Sequence, residues 1–255
     1  MTARRDTRSA RYRLVIGYDG TRYGGWQIQP NAPTVQAELE ACLAGLAGHP
    51  VKVHGSGRTD QGVHARAQQA HFDAILPMPP AALVRALNSR LPADIRVRRA
   101  VVATPDFHAR KSAIGKQYRY FIRNAAVMPP CRRLYETHVA RPLDAARMRA
   151  AAERLAGRHD FSAFSANPDR ELDSTVRDLF GLEVRKQGSL ITIVADGEGF
   201  LYKMVRSLAG WLIRVGEGAE PPDATDAVLA ARVRTARVPT APPQGLFLWE
   251  VRYPP

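Results

Sequence analysis

The sequence predicts an α+β protein made of two ferredoxin-like βαββαβ subdomains, with mostly antiparallel sheets flanked by helices and a cleft between them. Three observations predict it. Short runs rich in Val, Ile, Tyr and Phe read as strands, apolar residues at helical spacing fall between them, and the order strand, helix, strand, strand, helix, strand occurs twice.

Residues 12–18 read as the first strand from their β-branched and aromatic content, and Asp19-Gly20 closes it with turn chemistry. Thr34 then caps a helix in which Val35, Leu39, Leu43 and Leu46 share one face and Gly48 marks the stop. Residues 51–53 form a short strand, 68–73 the next, 81–88 a second helix after prolines, and 95–102 the closing strand. The second half repeats this order with different residues: a strand at 117–122, a helix at 143–155, a strand pair at 179–185 and 190–195, a helix at 201–215 and a strand at 246–253. Residues 221–243, with proline-rich flanks, read as an extra helix. The division into subdomains is therefore expected at residues 1–110 and 111–255.

A chain of 255 residues, 45% hydrophobic and 24% charged, can bury one large core or two smaller ones side by side. Its 37 Lys and Arg against 24 Asp and Glu leave a formal charge of +13, which favours a polyanionic partner such as nucleic acid, with a membrane surface as the competing reading. Both halves are basic: residues 1–110 hold 15 cationic and 8 anionic side chains, residues 111–255 hold 22 and 16, so no detachable basic tail explains the excess. Cys42 and Cys131 stand far apart, outside any CxxC or Cys/His cluster, which argues against a disulfide framework and against a zinc site. No apolar window of about 18 residues suggests a membrane span, and the arginine-rich start, residues 1–13, lacks an apolar signal core. The expectation is a cytoplasmic protein with no membrane and no metal.

The chemistry is expected in the loop at residues 55–64, Gly55-Ser56-Gly57-Arg58-Thr59-Asp60-Gln61-Gly62-Val63-His64, set between two strands. It fails as a phosphate loop. Asp60 stands where GxGxxG needs its last glycine, and Val63 where a Walker A loop needs lysine. It does offer a carboxylate two residues from Arg58. If the turn brings the two side chains together, the guanidinium favours the ionised carboxylate, a nucleophile or base. The competing reading is an Asx-type turn in which Asp60 only caps backbone amides. Spacing does not decide between them.

Gly57-Arg58-Thr59-Asp60-Gln61-Gly62-Val63-His64-Ala65, followed by Gln69-x-His71-Phe72, resembles the catalytic segment of the tRNA pseudouridine synthase A family. Further segments agree in order: Tyr18-Asp19-Gly20, Gly25-Trp26-Gln27-x-Gln29, Leu87-Asn88-x2-Leu91-Pro92-x-Asp94-Ile95, Phe107-His108-Ala109-Arg110 and Tyr118-Arg119-Tyr120. Asp160-Phe161-Ser162-x-Phe164, Phe200-Leu201-x2-Met204-Val205-Arg206 and Gly245-Leu246-x-Leu248 complete a match that runs from Tyr12 to Tyr253. The resemblance implies a pseudouridine synthase fold, a homodimer, and a tRNA substrate modified at uridines 38, 39 and 40 of the anticodon stem-loop. It also implies that Asp60 is the catalytic nucleophile, Arg58 its ion-pair partner, Tyr118 the aromatic residue that stacks on the target base and Arg206 a second arginine near Asp60. Gln61 departs from the alanine expected there, which leaves the packing of the loop open.

Isomerising uridine to pseudouridine breaks the N1 to C1′ bond, turns the base over and joins C5 to C1′, with no redox change and so no expected cofactor. The residue types alone leave bland readings open for the other positions: Tyr118 as a core aromatic in a strand, Arg206 as a solvated helix residue. His64 and His71 suggest metal or acid–base roles, but no third ligand stands at a recognisable spacing. A rival from another class is a non-catalytic RNA-binding module on the same βαββαβ units. Zinc deaminases need an H-x-E and P-C-x-x-C pair that is missing here.

Overall fold

The computed structural model describes residues 9–166 and 174–255, so residues 1–8 of the arginine-rich start lie outside the described residues. Two units follow from the contacts within the chain: Met1–Ile114 with Leu248–Pro255, and Gly115–Phe247.

In the first unit, β1 (Ala10–Tyr18) buries every second residue, Tyr12, Leu14, Ile16 and Tyr18, as a strand with one covered face must. The helix α1 (Val35–Ala47) begins where the Thr34 hydroxyl accepts the Ala37 N–H, buries Val35, Leu39 and Leu43, and ends at Gly48. The strand expected at residues 51–53 is displaced to β2 (His54–Gly55). Side chains of α1 explain the shift: Gln36 Nε2 donates to the Val53 carbonyl at 3.0 Å and Glu40 Oε1 accepts the Val53 N–H at 2.9 Å. With both backbone groups of Val53 satisfied by a helix, none is left for a ladder.

The strand β3 (His64–Ala74) starts four residues before the expected 68, directly at the end of the aspartate loop. It runs antiparallel to β1, with Tyr12 opposite Phe72 and their rings stacked 5.2 Å apart. After α2 (Pro80–Asn88) comes β4 (Ile95–Val102), antiparallel to β1 on its other side. The Asn88 amide exchanges two 2.8 Å bonds with the backbone of Val97, so the end of the helix mimics one rung of a ladder. The last strand of the chain, β11 (Leu246–Arg252), neighbours β3, which gives the order β4-β1-β3-β11 with β2 paired on β3. The order β1, α1, β2, β3, α2, β4 is the βαββαβ unit read from the sequence.

The second unit opens with β5 (Gly115–Asn124), joined in parallel by the short β6 (Thr137–Val139). Asp144 caps α3 (Ala145–Leu155) by accepting the N–H groups of Ala146 and Arg147. Next, β7 (Gly157–Asp160) and β8 (Val176–Leu179) pair antiparallel in a small sheet of their own. The antiparallel pair β9 (Gly181–Gln187) and β10 (Leu190–Gly197) completes the order β5-β10-β9. Leu179 and Phe180, expected to open that pair, instead end β8 and turn. The helix α4 (Met204–Gly216) begins three residues later than expected because Lys203 holds a left-handed φ of 57°. Its Leu208, Trp211 and Leu212 are buried, and Trp211 Nε1 donates to Thr225 Oγ1 at 3.0 Å, which ties in α5 (Ala224–Ala231), the extra helix expected within 221–243. Among the described residues, no helix is long and apolar enough to cross a membrane.

Candidate active site

The loop that carries Asp60 leaves β2 and returns into β3, and its leading flank is held to β3. The Ser56 N–H donates to the Gln69 carbonyl at 2.7 Å, and the Ser56 hydroxyl donates to Gln68 Oε1 at 2.6 Å. Gln68 Nε2 in turn donates to the Gly57 carbonyl at 2.9 Å. Gln68 is fully buried, and a buried amide is stable only when its donors and acceptor are used, as they are here.

From the other side the segment between β1 and α1 wraps the loop. The Trp26 N–H donates to the Thr59 carbonyl and the Trp26 carbonyl accepts from Gln36 N–H, both at 3.1 Å, so the start of α1 is relayed to the residue before Asp60. Gly25 makes this approach possible: it adopts φ +105°, and a Cβ there would lie 2.3 Å from the Thr59 carbonyl oxygen. Tyr23 anchors the same segment by donating to Asp94 at 2.6 Å. Thr59 itself is buried, with its hydroxyl 2.8 Å from that of Tyr18 on β1. Burial raises the Tyr18 pKa above its ordinary range, against the hydrogen bonds from Thr59 and Gln68, so the group stays a neutral phenol.

Asp60 sits half-buried at the point where this framework ends. A turn follows it, closed by the Asp60 carbonyl accepting the Val63 N–H at 3.1 Å, with Gly62 at φ 76° in the position that requires a left-handed residue. The backbone of Asp60 therefore closes the turn. Gln61 occupies the exposed first corner of it. Arg58 is exposed, one residue before the buried Thr59.

The other two expected residues belong to the second unit. Tyr118 on β5 is 8% exposed and meets Phe200 edge-on, with ring centroids 5.1 Å apart. Arg206, in the first turn of α4, is half-buried, and its Nε donates to the Ala241 carbonyl at 2.8 Å. The remaining histidines fall into structural surroundings. His64 is buried with Nδ1 3.0 Å from the Gly20 nitrogen that donates to it, and His71 stacks on His54 at 5.0 Å and meets His108 at a tilt at 4.6 Å while its Nδ1 accepts the Ala109 N–H. Among the described residues, no group of three His, Cys, Asp or Glu side chains could hold a metal ion.

Sequence reasoning missed the supports of the loop: Tyr18, Trp26 and Gln68. Tyr18 falls on the buried face of an alternating strand and reads as core. The one local signal is Gln68, a polar side chain on a strand position that β3 turns inward.

An irregular loop with one half-open carboxylate, set in a βαββαβ frame on a strongly basic chain, outlines an enzyme that modifies RNA. A model of the tRNA pseudouridine synthase family matches residues 14–110 and 151–254. The tRNA pseudouridine synthase A of Geotalea uraniireducens (strain Rf4) is 47% identical over 241 residues, covering 94% of this chain and 98% of its own. Those of Myxococcus xanthus and Chlamydia trachomatis serovar L2b are 46% and 45% identical, each over 95% of this chain and over 92% and 91% of their own. Among solved structures, an archaeal box H/ACA sRNP Nop10-Cbf5 complex is 14% identical over 80% of this chain and 43% of that chain, at a TM-score of 0.35, too slight a likeness to bear on the fold. The chain belongs to the tRNA pseudouridine synthase family.

Proposed function

We propose that this enzyme isomerises uridine to pseudouridine at positions 38, 39 and 40 of the tRNA anticodon stem-loop, with Asp60 as the nucleophile on a flipped-out nucleotide. The observation that carries the reading is the loop: side-chain and backbone bonds hold residues 56, 57 and 59 in place, and the half-buried Asp60 follows directly after them.

The reaction balances without a cofactor. The N1 to C1′ bond breaks, C5 to C1′ forms, C5 loses its proton and N1 gains one. A base stacked in an RNA stem is out of reach, so the nucleotide leaves the stack first, at a cost of a few kcal/mol. Attack at C1′, attack at C6 and removal of a ribose proton all begin from a carboxylate beside that nucleotide. Arg58, exposed two residues away, partners the carboxylate and fills the gap left in the RNA. Tyr118 stacks on the turned base, and Arg206 supplies a second cation. These roles rest on the positions these residues occupy in the family's motifs. By the same resemblance the enzyme acts as a homodimer, and its free Cys42 and Cys131 suit the cytoplasm.

Tritium release from C5-labelled tRNA tests the reading. Asp60→Ala and Asp60→Asn are expected to fold and to bind tRNA while releasing no label; turnover by either purified variant overturns the assignment of Asp60. A wild-type protein that binds tRNA and releases no label is instead the RNA-binding module.

A further inference from the structure

Two strand residues touch the aspartate loop without belonging to it. Tyr18, at the end of β1, is 5% exposed and places its hydroxyl 2.8 Å from Thr59 Oγ1. Gln68, in β3, is fully buried and holds both the Ser56 hydroxyl and the Gly57 carbonyl. Together they grip the chain on each side of Arg58. The intervals are short: one residue separates Gly57 from Thr59, and Asp60 follows directly. A loop gripped at 56, 57 and 59 leaves residue 60 little freedom of its own backbone, whereas a loop held at its ends alone would let the carboxylate wander.

We propose that Tyr18 and Gln68 are positioning residues for the reaction: through Thr59 and Gly57 they set where the Asp60 carboxylate stands. The proposal rests on the reading of Asp60 as the reacting group. Tyr18 does not act as an acid or base in this scheme, because it is sealed from solvent behind Thr59 and remains protonated. Its contribution is geometric, and geometry enters the chemical step more than the binding of a large RNA, whose affinity is spread over many phosphate contacts. A misplacement of about 1 Å at a reacting group lowers rate by as much as ~100-fold.

The test compares kcat and KM for tritium release by the full-length enzyme. Tyr18→Phe keeps the ring and removes only the hydroxyl; kcat is expected to fall on the order of 10-fold or more with KM within about 2-fold, as loss of positioning predicts. Its pH profile is expected to keep the wild-type shape, since the phenol removed stays neutral throughout the working range. Thr59→Ser, which keeps a hydroxyl, retains more of kcat than Thr59→Val, and Tyr18→Phe combined with Thr59→Val loses less than the product of the two single losses, because the two hydroxyls share a contact. Gln68 is too buried for its loss to be read safely, so the Tyr18 and Thr59 variants carry the test.

Full kcat in a folded Tyr18→Phe enzyme, a change confined to KM, or additive losses in the double variant overturn the proposal while an inactive Asp60→Ala leaves the function reading intact. An active Asp60→Ala overturns both. A pair that merely stabilised the fold would lower the melting temperature of Tyr18→Phe and leave kcat per folded molecule unchanged.

Discussion

Each unit buries a tyrosine hydroxyl from its first strand against a threonine, and the two pairs do different things. In the first unit Tyr18 meets Thr59 at 2.8 Å, 41 residues further along the chain, in a loop that makes no ladder of its own. In the second unit Tyr120 lies 2.6 Å from Thr137 Oγ1 and donates to the Pro242 carbonyl at 2.9 Å, so its oxygen accepts from the threonine. Thr137 is already fixed, since it opens β6 and sits opposite Ile122 of β5. The same contact therefore reinforces regular structure in one unit and replaces it in the other. Loop positions that carry chemistry have no ladder to hold them, and buried side-chain bonds take over that work.

The sharpest way to break this comparison is to wedge the loop apart. Gly25→Ala introduces a Cβ 2.3 Å from the Thr59 carbonyl oxygen at a φ of +105°, whereas Gly218→Ala, at φ +80° beyond α4, meets nothing within 4 Å. The exposed site should lose only the left-handed penalty, about 1–2 kcal/mol. Gly25→Ala adds overpacking against backbone that Trp26 and Tyr18 hold in place, for a total on the order of 3 kcal/mol or more. Denaturant melts of the two variants measure the difference, and equal losses would mean that the loop yields freely.

Much of this architecture was legible in the sequence, and what was not has a physical cause. β4 spans residues 95–102 as read, because Ile95 and Val97 alternate with exposed arginines. α1 was legible from its Thr34 cap and the Val35, Leu39, Leu43 face. The strand expected at 51–53 failed because Gln36 and Glu40 took the backbone of Val53, a contact between elements that no local pattern encodes. Thr137–Val139 and Gly157–Asp160 escaped notice because three or four mixed polar residues carry no period. At the site, the glycines and the carboxylate marked the loop, but the partners that hold it came from β1 and β3. A hydroxyl pair 41 residues apart leaves no trace in spacing.

Acid gives a second way to sharpen the contrast, because the first unit also clusters His54, His71 and His108. Burial first, and then the nearby charge of His108, His54 and Arg11, lowers the pKa of His71 from 6.5 to about 4. Between those values the unfolded chain takes up a proton that the folded chain refuses. Stability from this group is thus complete above about pH 6.5 and is lost as pH falls towards 4, by about 3 kcal/mol in all. His71→Gln, whose amide oxygen can still accept the Ala109 N–H, is expected to be less stable at pH 7 and to lose less between pH 7 and 4.5. Parallel slopes for the variant and the wild type would place the acid sensitivity elsewhere.

The gentlest test sets the two tyrosines side by side. Tyr120→Phe removes a hydroxyl that serves Thr137 and Pro242, both held by other contacts of the second unit, so it is expected to cost about 1–1.5 kcal/mol of stability. Tyr18→Phe likewise removes two bonds, to Thr59 and Gln68, and should destabilise the fold by a similar amount, yet it should slow the reaction by far more. That separation is the useful readout, because two substitutions of similar cost in stability would differ widely in rate. If kcat instead follows melting temperature across the pair, the hydroxyl under Thr59 is an ordinary core contact, and the loop owes its shape to Gln68, Trp26 and Gly25.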